Sequence, residues 1–132
     1  MAISNEFEWT ILSIAASALL SGLLGVWISN RHYRNSEIKR AKLKVFQQLM
    51  GERWNVQREG FTIAINQVFA VFYDSKEVLT ALKAFHEYSM SNNKTDDVAN
   101  QKLLDLFKAM AKHLNINTEP LTDNFFLKPF HT

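Results

Sequence analysis

The chain has no cysteine among its 132 residues, and only two prolines and four glycines. Without cysteine there is no disulfide framework, no thiolate nucleophile and no sulfur ligand for zinc. Two of the four glycines, Gly22 and Gly25, fall inside an apolar run. That leaves no phosphate-cradling loop followed by Lys-Ser/Thr, and the Gly-x-Ser-x-Gly nucleophile elbow is also absent. His32, His86, His113 and His131 lack metal-ligand spacing. His86 and Glu87 are neighbours in sequence and point about 100° apart on a helix. An Arg followed by His at the spacing of some helical nucleases is missing, the nearest approach being Lys108 to His113. Asp96, Asp97 and Asp105 read as a solvated helix face. These absences predict a protein that is not an enzyme and binds no cofactor or metal.

Charge is missing too, in one place. Residues Thr10–Ser29 read TILSIAASALLSGLLGVWIS, without a formal charge. At ~1.5 Å rise per residue such a helix reaches roughly 30 Å, the thickness of a bilayer's hydrocarbon core. The run predicts a transmembrane helix. A cleaved signal peptide would want a basic start and a shorter apolar core, and a core helix of a soluble protein would keep a charged face. Within the run Ser13, Ser17, Ser21 and Gly25 recur every fourth residue, and Ala18 and Gly22 form a second small-x-x-x-small pair. Small residues at this spacing let helix backbones approach closely in lipid. They make the span a packing surface, with a polar pore lined by the serines as the sharper reading. Serine can instead hydrogen-bond back to its own helix.

The flanks give a direction. Glu6 and Glu8 precede the run, and no Lys or Arg does. Arg31, Arg34, Lys39, Arg40, Lys42 and Lys44 follow it against one acid, Glu37. The positive-inside rule then places the N-terminus outside and the remainder in the cytoplasm. Those six cations are expected at lipid headgroups, and Trp9 and Trp27 at the two interfaces. Residues 47–132 hold nine Lys/Arg and ten Asp/Glu, so the net charge of +2 is a juxtamembrane feature. It argues for the lipid bilayer as partner and against nucleic acid.

The expected organisation is a short extracytoplasmic N-terminus (1–9), a transmembrane helix (10–29), a basic juxtamembrane helix (30–58) and a cytoplasmic helical bundle (59–132). The fold class is all-α. Ile38, Ala41, Val45 and Leu49 repeat at helical spacing from Arg31 to about Val56, with Phe46, Met50 and Trp54 widening the stripe and Gly51 as a bend. No Pro or Gly separates this helix from the span, so it continues as a stalk. A second helix is expected from about Glu59 to Phe72, burying Ile63 or Ala64, Val68, Val71 and Phe72. Asp74-Ser75-Lys76-Glu77 resembles a capping box. It would open a third helix over 75–90 that buries Val78, Leu79, Leu82, Phe85 and Tyr88. Thr95 would cap a fourth, with Asp96 and Asp97 at its positive end and Leu103, Leu106, Phe107, Met110 and Leu114 inside. Phe125, Phe126 and Phe130 make an extended aromatic tail that docks on the bundle. Asn66, within an apolar segment, is expected to be a buried polar tie between helices or subunits, with ligand contact as its other reading. A short hairpin over Phe61–Ile65 and Val68–Tyr73 is the weak alternative.

Three segments carry a resemblance: Arg40-Ala41-Lys42-Leu43-Lys44-Val45-Phe46-Gln47-Gln48-Leu49-Met50; Ala64-Ile65-Asn66-Gln67-Val68-Phe69-Ala70-Val71-Phe72-Tyr73-Asp74 with Val78 and Phe85; and Leu103-Leu104-Asp105-Leu106-Phe107-Lys108-Ala109-Met110-Ala111-Lys112. Over about residues 10–130 the chain resembles a family of small bacterial proteins of unknown function. They have one N-terminal transmembrane helix and a helical cytoplasmic domain. The resemblance implies no catalytic residue; the span and its flanks lead to the expectation of an inner-membrane location.

The first functional expectation is a non-enzymatic single-pass protein that homo-oligomerises through its span and cytoplasmic helices. By analogy alone it has the economy of membrane-disrupting or pore-forming effectors of anti-phage defence. The second is a membrane-tethered adaptor that binds a cytoplasmic partner protein or a small ligand.

Overall fold

In the computed structural model, which describes the backbone of residues 2–130 and the side chains of 5–130, the chain forms five helices. They are α1 (Ala2–Glu52), α2 (Glu59–Val71), α3 (Lys76–Ser89), α4 (Asp96–His113) and α5 (Asp123–Leu127). No strand occurs among the described residues, and the stretch with a hairpin as its alternative lies mostly in α2. Residues up to Glu37 form one compact unit, and residues from Ile38 onward form another.

The first unit is the N-terminal part of α1. Gly22 and Gly25 are helical here. A lone glycine costs a helix only ~1 kcal/mol, too little to break a run this long. Its described large apolar side chains are all exposed, from Ile11 and Leu12 through Leu19, Leu20, Leu23 and Leu24 to Val26 and Ile28. They leave no charged face over Thr10–Ser29.

The second unit holds its core against the last turns of α1. Val45, Phe46 and Leu49 are buried there, which joins residues 38–52 to the bundle. α1 stops at Glu52, short of the expected Val56, and Trp54 is half-exposed in the following turn. The stop is held by Arg53, whose guanidinium donates to the Met50 carbonyl and, at 3.1 Å, to that of Phe125. One carbonyl left without a helical partner is thereby satisfied.

α2 buries Phe61, Ala64 and Val68, spaced i, i+3 and i+7, and Phe72 follows at its end. That phase turns Ile63 and Asn66 outward. Asn66 is exposed in the single chain, which corrects its reading as a buried tie between helices of one chain: two positions from Ala64 is about 200° around the helix. At α3 the N-cap is Ser75, whose hydroxyl accepts from the Val78 N–H at 3.3 Å. The expected box on Asp74 and Glu77 is shifted by one residue, and Asp74 is left for another role. α3 fully buries only Val78, while Leu82 and Phe85 are half-buried.

α4 is the central helix. It buries Leu103, Leu104, Leu106, Phe107, Ala109, Met110 and Ala111. Thr95 occupies its N-cap position, yet its side chain makes no capping bond to the helix. The Tyr88 hydroxyl accepts from the Thr95 N–H at 2.6 Å instead. Asp96 and Asp97 lie in the first turn, where carboxylates favour the helix dipole. The helix ends on Asn115 at φ 58°. The Ile116 N–H reaches the Ala111 carbonyl at 2.8 Å, and the Asn115 N–H that of Lys112 at 3.1 Å. This is a Schellman closure, and Asn tolerates its left-handed position. The aromatic tail is not extended through its middle: Phe125 and Phe126 belong to α5. Phe126 is buried, while Phe130 is 87% exposed beside the Phe125 ring.

Candidate functional site

The residues expected to pack spans together, Ser13, Ser17, Ala18, Ser21, Gly22 and Gly25, are all exposed on α1. A Cβ added at Gly22 or Gly25 would meet nothing within 4 Å. Trp9 and Trp27 are also exposed. Trp27 carries the Arg31 guanidinium over its ring, 5.6 Å from the centroid. Such a stack keeps a cation beside an aromatic edge of the apolar run. Arg31, Arg34, Lys39, Arg40 and Lys44 are exposed.

Lys42 is not among them, a correction to its reading as a headgroup cation. Its side chain is 7% exposed, and its ammonium donates to Asp74 Oδ2 at 2.7 Å. It also lies 2.9 Å from His113 Nε2. An ammonium has only donors, so Nε2 accepts from it and the ring proton belongs on Nδ1. The three residues come from α1, the α2–α3 turn and the last turn of α4. Phe72 closes the group: its ring meets that of His113 edge-on at 5.6 Å and lies 6.0 Å from the ammonium. The Lys42 hydrogen bond holds the Asp74 carboxyl below the usual carboxylate range, against the opposing effect of burial.

The cluster assembles a lysine, a carboxylate and a histidine, residue types that also serve catalysis. Here the ammonium is engaged on both sides, and neither large surface pocket of the domain is lined by any of the three. Their arrangement ties three elements together. Sequence reasoning missed it, although one signal was present: Lys42, Val45, Phe46 and Leu49 are spaced i, i+3, i+4 and i+7. A lysine on the apolar face of a helix either snorkels or finds a buried partner. His131, the last of the four histidines, lies outside the described residues. Among the described residues no group of three or more His, Asp or Glu could hold a metal ion.

Asn66 opens onto a groove between α2 and α3. Ile65 and Phe69 on one side face Leu79, Leu82 and Phe85 on the other. A second, wider depression of about 940 Å³ runs along α3 and α4, where the lining alternates charges with Ala81, Ala84 and Ala109.

A family model described as a family of unknown function, DUF6680, matches residues 3–122. The chain belongs to DUF6680. The match takes in α1 to α4, with Lys42, Asp74, His113 and the α2–α3 groove, and ends just before α5. The family that the sequence resembles and the DUF6680 model agree in carrying no known function. No curated protein and no solved structure matches this DUF6680 chain.

Proposed function

We propose that this DUF6680 protein is a non-enzymatic single-pass membrane protein, anchored by residues 10–29 with its helical domain on the cytoplasmic side. The observation that supports the reading best is the first unit of α1. An 18-residue window there has a mean hydropathy of 2.1 and nothing in it is buried. A helix with no charged face and large apolar side chains around it has no favourable home in water. At 25 cal/mol per Å² a fully exposed Leu or Ile gives up roughly 1.5–3 kcal/mol that burial would return. Ile11, Leu12, Ile14, Leu19, Leu20, Leu23, Leu24 and Ile28 are each at least half exposed. The acid-before, base-after flanks favour an N-terminus outside.

In this proposal the protein self-associates through Ser13, Ser17, Ser21 and Gly25, and its assembly acts on the membrane of a bacterial cell. A pore-forming or membrane-disrupting role in anti-phage defence is the furthest extension of the reading. The experiment is the mass of the full-length protein in mild detergent by multi-angle light scattering. An assembly of several subunits that Ser17→Leu and Gly25→Leu reduce would uphold self-association through the span. A monomer unchanged by either substitution would end it. The adaptor reading is favoured by one observation, the apolar groove between α2 and α3, which none of the described residues fills.

A further inference from the structure

The α2–α3 groove has a volume of about 460 Å³. Its body is apolar: Ile65, Phe69, Leu79, Leu82 and Phe85. Phe69 is 64% exposed although it lies in a helix whose opposite face is core. The polar groups at the rim are Asn66, Lys83, His86 and Ser89, and no Asp or Glu lines the groove. Sites for small molecules combine an apolar body with a few convergent polar groups in this way, at volumes of roughly 300–1,000 Å³.

We propose that this groove binds a small anionic amphiphile: a medium-length acyl or aromatic body with a single carboxylate. The apolar body would lie between Phe69 and Phe85, and the carboxylate would meet Lys83, with His86 and the Asn66 amide as further donors. The occupant's sign follows from the rim, where every ionisable side chain is basic. Lys83 is free to serve. Its ion pair with Glu87 is 3.8 Å long, with the two side chains 76% and 66% exposed, and such pairs contribute little. A neutral or cationic amphiphile would fill the same apolar body without this gain. A partner helix is a poorer fit, because it needs a continuous row of pockets at i, i+4 and i+7. Here one compact recess lies between two helix faces. The inference rests on residues 65–89 alone and holds whether or not α1 crosses a bilayer.

The test uses the full chain in lipid nanodiscs and a photoactivatable diazirine derivative of decanoate, with labelled peptides mapped by mass spectrometry. Labelling of the α2 and α3 peptides is expected, and unlabelled decanoate should compete better than decanol, by up to about fivefold, the worth of one exposed ion pair. Phe69→Glu and Lys83→Glu, both at exposed positions, should each lower that labelling at least threefold with the helical circular dichroism unchanged. Labelling confined to residues 10–29 would overturn the proposal. So would equal competition by decanoate, decanol and decylamine, or chain-to-chain crosslinks through α2 and α3 in place of probe labelling, which would give the groove to a second copy.

Discussion

Removing Asp74 should destabilise the helical domain more than removing the charge it pairs with. In Asp74→Asn the Lys42 ammonium stays buried without the carboxylate that faces it at 2.7 Å, and only His113 remains beside it. Breaking a fully buried ion pair from one side costs about 3–5 kcal/mol. Asp74 is 44% exposed, and solvent reaching the Lys42 end through it reduces the expected cost to about 1–2 kcal/mol. Lys42→Met keeps the buried stem and removes the charge, leaving a half-exposed carboxylate that water can solvate. It should change stability by less than about 1 kcal/mol. For a domain of this size each kcal/mol moves the melting temperature by about 4–8 °C. The assay is thermal unfolding of the full chain followed by circular dichroism at neutral pH. The pH dependence adds a sign. The folded carboxyl binds its proton less readily than the unfolded one. Its contribution is therefore complete above the ordinary carboxylate pKa of about 4. It is lost as pH falls through the lower folded value. Wild type should show this loss at acid pH, and Asp74→Asn should lack it. A wild-type melting temperature in Asp74→Asn together with a large drop in Lys42→Met would refute the reasoning.

Phe107, fully buried in α4, should cost about 3–5 kcal/mol on truncation to alanine, read as a lowered urea midpoint. Ser75→Ala removes the hydroxyl that accepts from Val78 N–H and should cost about 1 kcal/mol, visible in the same titration. Asn66→Ala should fall within about 0.5 kcal/mol of wild type, because the side chain is exposed. A loss of 2 kcal/mol or more there would restore its reading as a buried tie.

The helices were legible where apolar spacing and polar punctuation agreed. α4 carries acids at its start, a strong apolar face and Asn115 just past its end, and Leu103, Leu106, Phe107, Met110 and Leu114, the residues expected inside, are all buried. α2 was legible as an element, and its face only in part. Its sequence from Gly60 to Tyr73 has no charge. Nothing local therefore marks which of Ile63 and Ala64 turns inward, and Asn66 lies on the opposite side from the expected one. The Lys42–Asp74–His113 cluster lies between residues 32 and 71 positions apart, a pairing that local spacing does not carry. Asp74 invited a capping role that its neighbour Ser75 fills. The half-burial of Leu82 and Phe85 was equally illegible, because an amphipathic stripe does not say whether the chain itself supplies its cover.

The central claim is that residues 10–29 cross a bilayer with the helical domain inside. The absence of native cysteine permits a clean test. Asn5→Cys and Lys94→Cys, both at exposed positions, are expressed separately in the full chain and treated with a membrane-impermeant maleimide on intact cells, then after permeabilisation. Position 5 should label on intact cells and position 94 only after permeabilisation, with both variants retained in membranes through an alkaline wash. Release of the protein by that wash, or equal labelling of the two positions in intact cells, would contradict the claim.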